Sequence, residues 1–163
     1  MPGCGKSTLG KKLAKHLQWT FTDLDTLIEE KEQEKIDIIF DSKGEDYFRK
    51  IEKLALRETQ QLKKVVISCG GGTPVYFNNM NWMNKHGLSI YLNAPISLLI
   101  NRIERSKTER PLFRTLNREE LEKKICDLYN KRHPIFELAK LSIPLPVKSS
   151  KSLAHQAFEH IQS

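Results

Sequence analysis

At 163 residues the chain has room for one domain that buries about two-thirds of its unfolded surface. Its 39% apolar and 29% charged residues exclude a disordered chain, and no apolar run approaches the roughly 18 residues of a membrane span. The net charge of +7 leaves nucleic acid, an anionic surface or small polyanions as partners.

The chain opens on Met1-Pro2-Gly3-Cys4-Gly5-Lys6-Ser7-Thr8. Gly-Lys-Ser after a glycine-bearing turn is the second half of a phosphate-binding loop. Its backbone N–H groups wrap the β-phosphate, its lysine reaches the β/γ oxygens and its serine hydroxyl ligates Mg²⁺. Leu9, Leu13, Ala14 and Leu17 then mark one face of the helix that such a loop requires. The full motif G-x-x-x-x-G-K-[ST] would place its first glycine ahead of Met1. We therefore expect Met1 to be an internal residue of a longer natural protein. About seven to ten residues, a mostly apolar strand at the centre of the sheet, would precede it. Without that strand its neighbours, at 65–69 and 88–92, would stand about 9–10 Å apart or collapse together, and this form would be weakly stable and poorly active.

Trp19 to Asp25 alternates and ends on two acids, Asp23 and Asp25, which predicts a strand with carboxylates at the end where α/β sheets bind ligands. Helices are expected at about 25–32, 36–42 and 45–62, the last with Phe48, Ile51, Ala55 and Leu62 inward and Arg49 one turn from Glu52. Val65 to Cys69 predicts a buried parallel strand ending at Gly70-Gly71-Gly72, where close approach to the backbone is expected. Leu88 to Leu92 is a further strand, and Pro95 opens a helix to about Arg105. The stretch 106–115 lacks apolar periodicity and predicts a mobile lid. Asn117 and Glu120 form a capping box for a helix to about Arg132, broken by Pro134. Leu141 to Pro144 predicts an edge strand, and Leu153, Ala154, Ala157, Phe158 and Ile161 one buried face of a last helix. Helix and strand alternate throughout, so the fold class is α/β: a parallel sheet with helices on both faces, in three layers.

Three cysteines, an odd and widely spaced set, indicate neither a disulfide framework nor a zinc site. Cys69 and Cys126 read as core residues and Cys4 as a loop filler. The five histidines suggest no metal or nucleophilic partner. Basic residues concentrate at Arg102, Arg105, Lys107, Arg110, Arg114 and Arg118 with no aromatic strand beside them, which favours small anions over nucleic acid.

Together these motifs resemble the shikimate kinases, a branch of the nucleoside-monophosphate-kinase-like P-loop group, over nearly the whole length. The resemblance rests on Gly3-x-Gly5-Lys6-Ser7-Thr8, Asp23-Leu24-Asp25, Phe48-Arg49-x-x-Glu52, Gly70-Gly71-Gly72, Arg110-Pro111 and Arg132-x-Pro134. It implies ATP-dependent phosphorylation of the shikimate 3-hydroxyl, on the way to chorismate and the aromatic amino acids, by a cytosolic monomer with no nucleic acid or membrane partner. By the same resemblance, Gly3 to Thr8 with Arg105 and Arg110 hold ATP, Ser7 and Asp23 hold Mg²⁺, and Arg49, Arg132 and Gly70 to Gly72 hold shikimate. Asp25 orients the attacking hydroxyl, while Lys6 and Arg110 neutralise the transferring phosphoryl group.

Blander readings remain open for individual residues: a solvated ion pair for Arg49 and Glu52, a helix cap for Arg132, solubilising acids for Asp23 and Asp25, a plain turn for the glycines. The competing functions are a gluconate or nucleoside-monophosphate kinase and a non-catalytic nucleotide- or nucleic-acid-binding module.

Overall fold

The computed structural model describes residues 1–105, 116–147 and 150–162. Helix α1 (Lys6–Leu17) starts on Gly5, whose φ of 88° lies in the left-handed region that glycine enters without strain, and it buries Leu13 and Ala14. Strand β1 (Thr20–Asp23) stops where Asp23 becomes the N-cap of α2 (Leu24–Glu32), accepting a hydrogen bond from the Asp25 N–H. Asp25 thus sits in the first turn of α2, at the start of the helix expected at about 25–32, and the strand, read as running to Asp25, ends at Asp23 because the cap bond turns the chain there. Helix α3 (Ile36–Glu58) bends at Gly44 (φ 80°, ψ 172°), which reproduces the two helices read from the sequence. A short 3₁₀ turn (Thr59–Gln61) follows, and Leu62, expected inward, is exposed beyond it.

Strand β2 (Val65–Ser68) leads to α4 (Asn79–His86), a helix that sequence periodicity did not signal. Strand β3 (Ile90–Asn93) and α5 (Ile96–Glu104) come next. Helix α6 (Arg118–Phe136) carries the expected reciprocal capping box of Asn117 and Glu120. Pro134 does not break it. Although an interior proline removes one helical bond, Phe136 beyond it is buried against Tyr91, with ring centroids 5.2 Å apart, and this packing holds the last turn. Strand β4 (Leu141–Pro144) and α7 (Ser150–Gln162) complete the chain. Helix α7 buries Leu153, Ala154 and Ala157, but Phe158 and Ile161, expected on that face, are exposed: a stripe of small residues suffices for the close approach to Leu13 of α1.

The strands form two parallel pairs, β1 with β2 and β3 with β4. Thr20 pairs with Val65 and Asp23 with Ser68; Ile90 pairs with Leu141 and Asn93 with Pro144. Helices α2 and α3 form one core cluster around Leu24, Ile28, Ile39 and Leu56, which Cys69 borders. Helices α5 and α6 form another around Leu99 and Ile125. Among the described residues strands β2 and β3 do not pair with each other. Cys4, expected to be a loop filler, is 1% exposed and belongs to the α5–α6 cluster, because the phosphate loop folds back onto α5.

Candidate active site

The loop from Gly3 to Gly5 is shaped by two glycines with positive φ, 77° and 88°. A Cβ on Gly3 would lie 3.3 Å from the carbonyl oxygen of Leu99, so the loop needs a bare backbone for packing as well as for its dihedral angles. No side chain caps the N-terminus of α1 at Gly5, which leaves its first-turn N–H groups available to an anion. Arg102 of α5 donates to the carbonyl oxygen of Cys4 at 3.0 Å and of Gly3 at 3.4 Å, tying the loop down from behind. Sequence reasoning placed Arg102 only within a basic concentration, since nothing local in the sequence links it to a loop almost a hundred residues away.

Ser7 donates to Asp23 Oδ2 at 2.9 Å, across from the first turn of α1 to the end of β1, and its hydroxyl lies 3.4 Å from that of Ser68. A hydroxyl and a carboxylate held together beside the phosphate loop fit Mg²⁺, which keeps most of its water and takes one or two protein oxygens plus phosphate. Among the described residues no group of three or more histidine, cysteine or acidic side chains could hold a metal, so all-protein coordination is not offered here. Lys6 makes no ion pair among the described residues. Thr8 is exposed in the first turn of α1.

The glycine triplet is the point where the remaining predicted residues converge. A Cβ on Gly70 would lie 3.4 Å from Asp25 Oδ1 and 3.3 Å from Glu52 Oε1. On Gly71 it would lie 2.9 Å from Arg132 Nη1, and on Gly72 2.7 Å from Arg49 Cζ. None of the three has positive φ, and the backbone turns here, with Thr73 N–H donating to Gly70 O at 3.2 Å; close approach, as the sequence suggested, bears hardest on Gly72, which faces the doubly held Arg49, while the atom nearest a Cβ on Gly71 is the movable end of Arg132.

Arg49 is held on two sides. Its Nη1 donates to Glu52 Oε2 at 2.8 Å, while Nε and Nη2 donate to Glu45 Oε1 at 3.1 and 3.0 Å. Glu52 is 1% exposed and accepts a further bond from the Thr73 hydroxyl, so the solvated-ion-pair reading of Arg49 and Glu52 is corrected: this pair is buried and hydrogen-bonded. Tyr76 donates to Glu45 Oε1 at 3.0 Å, and its ring lies 4.5 Å from the Arg49 guanidinium carbon. Glu45 was legible as the i−4 partner of Arg49; Thr73 and Tyr76 carried no such signal. Arg132, on α6, makes no ion pair among the described residues, and burial together with the nearby Arg49 lowers its pKa. Two adjacent guanidinium groups, one of them outside any ion pair among the described residues, have donors of the kind that can hold a carboxylate or phosphate.

Burial first, then the neighbouring charges of Asp23 and Glu52, push the Asp25 carboxyl up to about 6. Arg105 follows the last turn of α5 with its side chain exposed, and no described residue pairs with it. Arg110 and the expected lid at 106–115 lie outside the described residues.

A phosphate loop feeding a helix, parallel strands between helical layers and a convergent set of carboxylates and arginines define a P-loop kinase. The family model for shikimate kinase matches residues 2–162. The shikimate kinase of Phocaeicola vulgatus is 41% identical over 138 residues, 85% of this chain and 79% of the relative. That of a Sulfurihydrogenibium species is 36% identical over 160 residues, covering 98% and 93%. The crystal structure of the Bacteroides thetaiotaomicron shikimate kinase superposes with a TM-score of 0.91 at 33% identity, covering 99% of this chain and 94% of the other. The Acinetobacter baumannii enzyme in complex with shikimate gives 0.84 at 34%, covering 99% and 89%. The chain belongs to the shikimate kinase family, and the activity that goes with this membership is ATP-dependent phosphorylation of shikimate.

Proposed function

We propose that this chain transfers the γ-phosphoryl group of ATP to the 3-hydroxyl of shikimate, with Arg49 and Arg132 as the fork for its carboxylate. The observation that carries this reading is the convergence of Arg49, Arg132, Asp25 and Glu52 on three consecutive glycines, which keeps the two guanidinium groups and the acceptor carboxylate on one surface. Glu52 and Glu45 fix the Arg49 plane, so little ordering entropy remains to be lost on binding. Gly70 to Gly72 present backbone to the substrate.

Asp25 accepts the hydrogen bond of the attacking hydroxyl and aims it at the phosphoryl group. Because phosphoryl transfer has a loose transition state, this positioning and the charge of Lys6 carry more of the acceleration than proton removal does. The α1 N-terminus and the Gly3–Gly5 loop cradle the ATP phosphates, with Arg105 beside the adenine. Ser7 and Asp23 would hold Mg²⁺, which would supply positive charge to offset that of the phosphates. The chain works as a single domain and a monomer in the cytosol, without nucleic acid or membrane partners, and the segment at 106–115 serves as a lid that brings Arg110 onto the γ-phosphoryl group.

The test is a pair of variants. Arg49→Ala and Arg132→Ala are expected to lose most shikimate phosphorylation while retaining ADP binding. Near wild-type kcat/KM in either removes that residue from the fork.

A further inference from the structure

The loop that follows the glycine triplet is strapped to α3 by a continuous line of hydrogen bonds. Arg57, about two turns beyond Arg49 on α3, donates from Nη2 to Asn79 Oδ1 at 2.9 Å, and its guanidinium carbon lies 4.3 Å from the Trp82 ring centre. Asn79 Nδ2 donates to the Thr73 carbonyl oxygen at 2.8 Å, and the Thr73 hydroxyl donates to Glu52 Oε1 at 2.5 Å. Glu52 Oε2 accepts from Arg49 Nη1 at 2.8 Å, which ends the line at the guanidinium. Thr73 and Asn79 are both 0% exposed. Each link has one possible direction: a guanidinium can only donate, while a carbonyl or ionised carboxylate oxygen can only accept, which fixes both the Asn79 amide and the Thr73 hydroxyl.

We propose that Thr73 and Asn79 are positioning residues for the acceptor substrate, acting on it through Glu52 and Arg49. The inference rests on the reading of Arg49 as half of the carboxylate fork. Held by Arg49 alone, the buried Glu52 carboxylate would keep one oxygen without that donor and could turn about its last carbon–carbon bond, carrying the guanidinium with it. The Thr73 hydroxyl closes that freedom, and Asn79, gripped by Arg57, keeps the Thr73 backbone from drawing the hydroxyl away. Two fully buried positions that only filled space would be met by apolar side chains, without desolvating a hydroxyl and an amide. The fork grips a carboxylate remote from the reacting hydroxyl, so it holds substrate and transition state alike; loosening it raises KM for shikimate and spares kcat.

Steady-state kinetics of the full 163-residue chain tests this, with ADP binding as the control for folding. Thr73→Val, which keeps the shape and removes the hydroxyl, is expected to raise KM for shikimate about tenfold, with kcat and KM for ATP within about twofold of wild type. Thr73→Ser restores the hydroxyl and is expected to return KM for shikimate to within about twofold of wild type. Asn79→Asp keeps the acceptor for Arg57 but sets a second acceptor against the Thr73 carbonyl, and is expected to raise KM alike; where it does not fold, the Thr73 pair carries the test. In the Arg49→Ala background Thr73→Val is expected to lower kcat/KM by no more than a further factor of about two, since the group it acts through is gone. Unchanged KM in Thr73→Val or in folded Asn79→Asp, an equal loss in Thr73→Ser, a change of the same size in kcat or in KM for ATP, or multiplication of the Thr73→Val and Arg49→Ala effects overturns the proposal. Wild-type kcat/KM in Arg49→Ala alone would instead remove the fork reading, and this inference with it.

Discussion

The Arg49 guanidinium lies so close to the Gly72 backbone that a Cβ built there would sit 2.7 Å from Arg49 Cζ and 2.6 Å from Nη1. Arg49 is itself held by Glu45 and Glu52, so it cannot step aside without breaking hydrogen bonds at both edges of its plane. Gly72→Ala is therefore expected to displace the arginine and raise KM for shikimate, by about a hundredfold if the guanidinium moves by 1 Å, with ADP affinity unchanged. Steady-state kinetics with ADP binding as the control checks this; unchanged KM would show that the fork tolerates the methyl group.

Lysine is expected to rescue poorly at both fork positions. In Arg49→Lys and Arg132→Lys the charge survives but the planar pair of donors does not, and loss of one charge-assisted hydrogen bond costs about 1.5–3 kcal/mol. This corresponds to a fall in kcat/KM of about 10- to 150-fold. Recovery to within threefold of the wild type would mean that the site reads charge and not geometry.

The elevated pKa of Asp25 makes two opposite pH predictions. Burial and the charges of Asp23 and Glu52 raise its carboxyl to about 6, so the hydroxyl-accepting carboxylate is lost, and kcat/KM falls, as pH drops through about 6. Stability moves the other way. Between the ordinary carboxylate value and about 6 the folded chain binds more protons than the unfolded one, so stability declines as pH rises across that window. Asp25→Asn is expected to abolish turnover and, at pH 8, to stabilise the chain by an amount on the order of 1–2 kcal/mol. Denaturant unfolding at pH 8 checks the sign; a destabilised variant would mean that the carboxylate is better solvated than its surroundings suggest.

Ser7 and Asp23 predict a Mg²⁺-dependent reaction that EDTA stops. Asp23→Ala is expected to raise the Mg²⁺ concentration for half-maximal turnover by tenfold or more, because one of two protein oxygens is lost. The same variant removes the α2 N-cap, at about 1 kcal/mol of stability, so Asp23→Asn, which keeps a capping oxygen, is the control. An unchanged Mg²⁺ dependence in both would take Asp23 out of the metal site.

Much of this was legible because the residues that make chemistry also make local structure. The glycines of the phosphate loop, the capping box of Asn117 and Glu120 and the bend at Gly44 each follow from a backbone requirement written in a few adjacent residues. The i,i+3 spacing of Arg49 and Glu52 put them on one face but could not tell a buried pair from a solvated one, since the burial comes from Thr73 and Tyr76 on another segment. The strand before Asp25 was read two residues too long because a side-chain cap at Asp23 overrode the alternation. Helix α4 was missed and Pro134 over-read for a related reason: packing of Met80 and Phe136 outweighed a weak local signal in one case and a helix-breaking one in the other. Arg102, reaching the loop carbonyls across the fold, is tertiary information alone.

The central claim is that these residues direct phosphoryl transfer to shikimate, and ³¹P NMR of the chain with ATP, Mg²⁺ and shikimate tests it most directly. The account predicts that shikimate 3-phosphate and ADP accumulate in equal amounts, and that Arg132→Ala, which still binds ADP, produces neither at a comparable rate. ATP turning over to ADP and inorganic phosphate without an organic phosphate signal, or phosphorylation unaffected by loss of Arg132, would contradict it.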